Sequence, residues 1–396
     1  MKIGIVKPDW RIRGGFEKVL GVIEQDLIDA GHEIRWFQID VPTVPRHPFD
    51  TEVPPESWDR APEWFSHLAL LEAFRNLDVS WADMVISTQP PSYAVQHPRL
   101  LALFYHHARA FYDLEDVWIR AGHAPKQLHT KASALLREAE AQDFAGVTHF
   151  LAGSERAIER LHRFQGPDVP VSLYQAAGPT MSEDAGADDA PEGRFEHVLC
   201  VSRHEFTKRT ELAVLGIAAA AGATGVLVGD GGRLPFVRQL AGELAAGLDP
   251  HGLADEDIWL NSGIPDGPAE GEHPRIDIAG RVDDDTLADL YRNALCVLAP
   301  AYDEDDGLTI VEAMSHGKPV IVLRDGGGLT ALVRQGENGL VVDPTPAAIA
   351  AAIDLLSDEP ALARAMGEKG RQTARERTPE RARAQLLSAV DKVQAG

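Results

Sequence analysis

Two carboxylates, Glu304 and Glu312, stand eight positions apart on either side of Gly307, and upstream two cations, Arg203 and Lys208, stand five apart. Carboxylates accept hydrogen bonds from hydroxyls, while an arginine fork and a lysine point charge can grip different oxygens of a diphosphate. Gly307 allows bare backbone to approach a ligand closely. If a helix begins just after it, the amides of Leu308 and Thr309 point outward as a seat for phosphate. The chemistry this spacing suits is the binding of a sugar-bearing or ribose-bearing diphosphate, hydroxyls on the glutamates and phosphates between them. Asp306 lies beside Gly307 in the same acidic run.

A second cluster lies in the first half. His106, His107 and Arg109 follow the apolar run Leu100-Leu101-Ala102-Leu103-Phe104-Tyr105. Polar residues just beyond the C-terminal end of a parallel strand lie where α/β sheets bind ligands. His106 is preferred as the functional histidine by its spacing to Arg109, with His107 as the alternative. Gly14 and Gly15 follow the first apolar run, and adjacent glycines there suit either amides approaching a phosphate or a simple tight turn. They do not supply the Gly-x-Gly-x-x-Gly of a dinucleotide dehydrogenase.

The elements that must position these groups are strands alternating with helices. Met1-Lys2-Ile3-Gly4-Ile5-Val6 leads to an amphipathic helix closed by Gly31, and then to Glu33-Ile34-Arg35-Trp36-Phe37, a parallel βαβ unit. A further strand is expected at Ala82-Asp83-Met84-Val85-Ile86-Ser87-Thr88, and His149-Phe150-Leu151-Ala152-Gly153-Ser154-Glu155 reads as the last of the first half, with Ser154 capping the helix that follows. The second half begins at His197-Val198-Leu199-Cys200-Val201. It continues with Gly225-Val226-Leu227-Val228-Gly229-Asp230-Gly231-Gly232 as a strand and turn, and with Ile276-Asp277-Ile278-Ala279-Gly280-Arg281-Val282. Residues 178–194 are polar and rich in helix breakers and read as a linker, 261–274 as a mobile insertion, and Asp325-Gly326-Gly327-Gly328 as a flexible turn.

Composition narrows the class. The chain has 396 residues, 44% of them hydrophobic, with a formal net charge of −23. This length favours two cores, and the acidity disfavours nucleic acid and anionic membranes as general partners. No apolar run reaches the ~20 residues of a membrane span, and no charged-then-apolar leader opens the chain. Cys200 and Cys296 fall in strands and read as buried thiols of a reducing compartment, so a cytoplasmic location is expected. Cysteines and histidines show no metal-ligand spacing.

The stretch from Glu304 through Glu312 to the Gly317-Lys318-Pro319-Val320-Ile321 strand closely resembles the Glu-x7-Glu signature of the retaining GT-B glycosyltransferases, family 4 in particular. Arg203 and Lys208 resemble that family's Arg-x4-Lys phosphate clamp. Gly229-Asp230-Gly231 is similar to its Gly-Asp-Gly segment, and His106 with Tyr112-Asp113-Leu114 to its histidine-bearing segment. The resemblance implies an α/β GT-B fold of two Rossmann-like domains facing across a cleft. The first would span 1–177 on the acceptor side and the second 195–374 on the nucleotide-sugar side, with a helix over 375–396 returning to the first.

It further implies that Glu304 contacts the donor sugar, Glu312 the ribose, and His106 the neighbourhood of the anomeric carbon. Gly14 and Gly15 would reach toward the donor phosphates, and Arg281 and Val282 would border the nucleobase. His107 and Arg109 fall on the acceptor side. Asp306, where the family usually has an aromatic residue, is counted with the donor-contacting residues. The expected reaction is retaining transfer from a nucleotide-diphosphate sugar, a co-substrate and not a cofactor, to a soluble small-molecule or saccharide acceptor, without metal. The competing readings are a GT-B sugar-nucleotide epimerase and a non-catalytic GT-B partner subunit.

Overall fold

The computed structural model of the chain describes residues 1–11, 14–177, 195–252 and 272–395. The expected linker 178–194 and most of the expected insertion 261–274 lie outside the described residues, as do Ile12 and Arg13. Two compact units form, one from 1–176 with 379–396, the other from 177–378.

The first unit is built on β1 (Lys2–Asp9), β2 (Glu33–Asp40), β3 (Met84–Ser87), β4 (Leu100–Phe104), β5 (His149–Ala152) and β6 (Val171–Leu173). All pairings are parallel, in the order β2-β1-β3-β4-β5-β6. Strands β3, β4 and β5 are buried along their whole length, as expected of short apolar runs covered on both faces. β5 is therefore not the last strand of this half. The additional β6 has only three residues, all half-buried, at the sheet edge, too short to stand out in sequence.

The helix Pro379–Ala395 belongs to this unit. It buries Ala382, Leu386, Ala389, Val390 and Val393, Gln385 accepts from the amide of Gln175 at 2.8 Å, and Arg383 approaches Asp26 and Asp29 at 3.5 and 3.4 Å. The return starts at Pro379 and not at 375, because Arg377 is still anchored in the second unit.

The second unit is a six-stranded parallel sheet of β7 (His197–Val201), β8 (Gly225–Val228), β9 (Ile276–Gly280), β10 (Ala294–Ala299), β11 (Val320–Leu323) and β12 (Gly339–Val342). Its order is β9-β8-β7-β10-β11-β12. The connections run outward in opposite directions from β7 and β10, so the sheet reverses between those two neighbours. The crevice beyond their C-terminal ends is where doubly wound sheets bind ligands. Apolar side chains fill both faces, Val198, Leu227 and Ile353 on one and Leu199, Val297 and Ile310 on the other. No described helix is long and apolar enough to cross a membrane.

Candidate functional site

Arg203 and Lys208 follow β7, and Glu304, Gly307, Leu308 and Thr309 follow β10, so the two halves of the expected diphosphate site meet at the sheet's reversal. The Lys208 ammonium is ion-paired with the Glu304 carboxylate, both side chains 19% exposed. Arg203 lies exposed, with no side-chain partner among the described residues.

Two ties hold the loops together. The amide of Tyr302 donates to the Thr207 carbonyl at 2.7 Å. Buried Arg209, in the left-handed region at φ 48°, donates from Nε to the Pro300 carbonyl at 2.8 Å and forks onto both oxygens of Asp325 at 2.9 and 2.6 Å. Sequence reasoning missed Arg209 and Asp325. A second cation directly after Lys208 was the one available signal.

The Asp325-Gly326-Gly327-Gly328 segment is not the flexible turn expected. Glu304 donates to the Gly326 carbonyl at 3.1 Å and accepts from Gly328 at 2.8 Å, a short parallel bridge that fixes the Glu304 backbone. The approach requires glycine: a Cβ on Gly328 would stand 2.0 Å from the Asp305 carbonyl oxygen.

Gly307, at φ 82°, caps the helix Leu308–Ser315 with no side chain over its end. The amides of Ile310 and Val311 turn back to the Gly307 carbonyl, whereas those of Leu308 and Thr309 have no partner among the described residues. One turn in, Glu312 accepts from the buried Tyr291 hydroxyl at 2.9 Å. That bond fixes one oxygen and aims the carboxylate.

Asp306 departs from expectation. It is 5% exposed, and Arg377 forks onto its two oxygens at 3.0 and 2.7 Å. Burial pushes its carboxyl up while Arg377 opposes. Each carboxylate oxygen thus meets one arm of the Arg377 guanidinium, which anchors the Asp306 side chain within the second unit. Arg281 and Val282 leave β9 on an exposed loop, and Arg281 approaches Asp230 at 3.7 Å. Gly229, whose amide donates to Gly280 at 2.8 Å, connects that loop to β8.

In the first unit, His106 follows β4. Its Nδ1 lies 2.7 Å from the His107 carbonyl, which can only accept, so Nδ1 carries the proton and a neutral ring offers Nε2 as acceptor. Burial, with Arg109 adding, pushes His106 down to about 4, which makes the ring neutral at pH 7. His107 packs into the core. It is fully buried, stacked on Tyr112 at 4.3 Å and walled by Phe104, Phe144 and Phe164. His106, one residue earlier, is half-buried.

Arg109 is likewise engaged, donating to one Asp113 oxygen at 2.9 and 2.7 Å. Arg160 approaches the same oxygen at 3.2 Å. Burial pushes Asp113 up, but the two arginines outweigh it and hold the carboxyl below its usual range. Gly14 also differs from the open-amide reading. Its N–H donates to Glu17 Oε2 at 2.9 Å, closing the helix Gly15–Asp29, and Glu17 reaches the buried Lys7 at 3.0 Å. Gly15 is the first helical residue.

Residues 269–373 match the family model described as glycosyl transferases group 1. This stretch holds both glutamates but not Arg203 and Lys208. The chain is 44% identical over 75 residues to a D-inositol 3-phosphate glycosyltransferase of Acidothermus cellulolyticus, covering 19% of this chain and 16% of the relative. It is 41% identical over 90 residues to one of Corynebacterium glutamicum, covering 22% and 21%. The alignments thus span about a fifth of those relatives' own length. Over whole chains, the structure resembles sucrose-phosphate synthase from Thermosynechococcus elongatus at TM-score 0.69 and 19% identity, covering 100% and 99%. It also resembles Anabaena HepE, solved with UDP and glucose, at TM-score 0.62 and 16% identity, covering 99% of each. The fold is α/β of the GT-B class.

Proposed function

We propose that this chain is a retaining glycosyltransferase that moves a sugar from a nucleoside-diphosphate sugar to an acceptor hydroxyl. The observation that carries the reading is the joining of the Arg203 and Lys208 loop to the Glu304 loop at the reversal of the second sheet, beside the two open amides of Leu308 and Thr309. Arg203, Lys208 and those amides would bind the diphosphate, strengthening as the sugar C1–O bond breaks and negative charge grows on the leaving group. That electrostatic role does not call for a metal. Glu304 would hold sugar hydroxyls and Glu312 the ribose, with Arg281 and Val282 bordering the base.

Both glutamates have partners that suit positioning, Lys208 and Tyr291, and neither has the isolated setting of a carboxylate nucleophile. The acceptor oxygen would therefore attack C1 on the face the diphosphate leaves, passing its proton to the departing phosphate. Neutral His106, in the first unit, would offer Nε2 as a hydrogen-bond acceptor to a ligand hydroxyl. The D-inositol 3-phosphate glycosyltransferases matched here support a small sugar alcohol core as acceptor.

The test is transfer and donor turnover on a panel of nucleotide sugars with small polyols, with and without chelator. Arg203→Ala and Lys208→Ala should each lower kcat by about 10²–10³ while the fold is retained. Full activity in the double variant would sink the proposal. Conversion of donor to an epimer with no transfer would assign the fold to epimerisation instead.

A further inference from the structure

The second unit carries a concentration of positive charge at the opposite edge of its sheet, at the N-terminal end of β11. Lys318, two residues before the strand, is 5% exposed, yet its ammonium has no carboxylate or carbonyl partner among the described residues. It lies over the Phe195 ring at 4.8 Å, and Arg364 lies over the same ring at 5.2 Å. Arg371 packs its guanidinium on Gly317, where a Cβ would stand 2.6 Å from Nε. It reaches the His316 carbonyl only at 3.5 Å and the exposed Glu368 at 3.5 Å. His316 Nε2 is buried without a partner.

Buried ammonium groups are costly unless paired. In a chain with 61 acidic and 38 basic residues, cations gathered around a lysine that no carboxylate pairs are not what composition alone would give. The ring supplies a weak partner. It leaves the ammonium's hydrogen-bonding capacity unused.

We infer that Lys318, Arg364 and Arg371 form a second oxyanion site, for a phosphate dianion either free or at the end of a small phosphomonoester. The fork of Arg364 and the point charge of Lys318 match the oxygens of such a group, and Arg371 adds to the local potential. The site is separate from the diphosphate site: β11 lies between the two edges of one parallel sheet, and four strand residues span about 13 Å. It does not depend on the proposed transfer reaction. Burial, then Arg371 and Arg364, push the Lys318 ammonium down to about 8, so a bound anion should reverse that depression.

The test is competitive acylation of the full chain across pH, read lysine by lysine by mass spectrometry, in chloride, inorganic phosphate or glycerol phosphate at equal ionic strength. Phosphate should raise the Lys318 midpoint from near 8 by about one unit or more. Lys208 reports independently on the diphosphate site. In parallel, phosphate should raise Tm in the wild type and in Arg203→Ala plus Lys208→Ala, and this increment should be lost in Lys318→Met and in Arg364→Gln. An effect of glycerol phosphate as large as that of phosphate would mark a phosphorylated metabolite as the ligand. An effect of phosphate alone would mark the free anion. A Lys318 midpoint unmoved by either, or a Tm increment lost only with Arg203 and Lys208, would overturn the site and leave Phe195 as the lysine's partner among the described residues.

Discussion

Asp306 and Glu304 are two residues apart, and only the environment separates their roles. Glu304 meets Lys208 at a partly exposed loop, whereas Asp306 is buried against Arg377. Breaking a buried ion pair by removing one partner costs about 3–5 kcal/mol, since the other charge is left uncompensated. Asp306→Asn should therefore lower stability toward urea by that order and leave the donor KM within about twofold, because the altered group meets Arg377 and not the ligand. A donor KM raised tenfold at unchanged stability would return Asp306 to the ligand. The sequence placed Glu304, Glu312, Arg203 and Lys208 correctly relative to the strands, because residue type and distance from a strand end are local properties. It could not show Arg377, 71 positions from Asp306, because only tertiary packing makes them neighbours.

The elements that aim the site are loops, and their order comes from glycines packed against backbone. Gly328 admits the Asp305 carbonyl into the space a side chain would fill. Gly328→Ala must displace the bridge that sets Glu304. Misplacement of a positioning group by about 1 Å can cost roughly 10²-fold, so kcat/KM should fall by about that factor with the circular dichroism spectrum unchanged. Unaltered turnover would show that the bridge does not position Glu304. A glycine run reads the same in sequence whether it serves mobility or close approach, and for this reason the segment was misread as flexible. The buried strands were legible because parallel sheets covered on both faces leave continuous apolar runs. β6 was not, since three half-buried residues carry no such signal.

For the molecule as a whole, the balance of buried titratable groups bears on how it tolerates acid. His107 sits in its aromatic wall with Glu140 and Asp113 favouring its charged form. Burial, together with His106 and Arg160, outweighs them and pushes it down to about 3. Its native value lies below the unfolded one, so the unfolded chain takes up the proton first as pH falls. The stability it contributes is complete above about pH 6.5 and is lost progressively as pH falls toward 3. By pH 5 that loss is about 2 kcal/mol from this ring alone. His106, His149 and His316, each pushed down to about 4 by burial first, act in the same direction. The carboxyls that burial raises, Asp306 and Glu211 among them, act against it, because the native state then binds their protons first. Comparison with a variant isolates the histidine. His107→Phe keeps an aromatic ring of similar size among Tyr112, Phe104, Phe144 and Phe164, so stability at pH 7.5 should stay within about 1.5 kcal/mol of wild type. Urea unfolding of the two proteins from pH 7.5 to 5 should then show the variant losing about 2 kcal/mol less, with the proposed transferase activity retained. Parallel pH dependences would mean that His107 charges freely in the native state, and a collapse of activity at preserved stability would return it to the acceptor side.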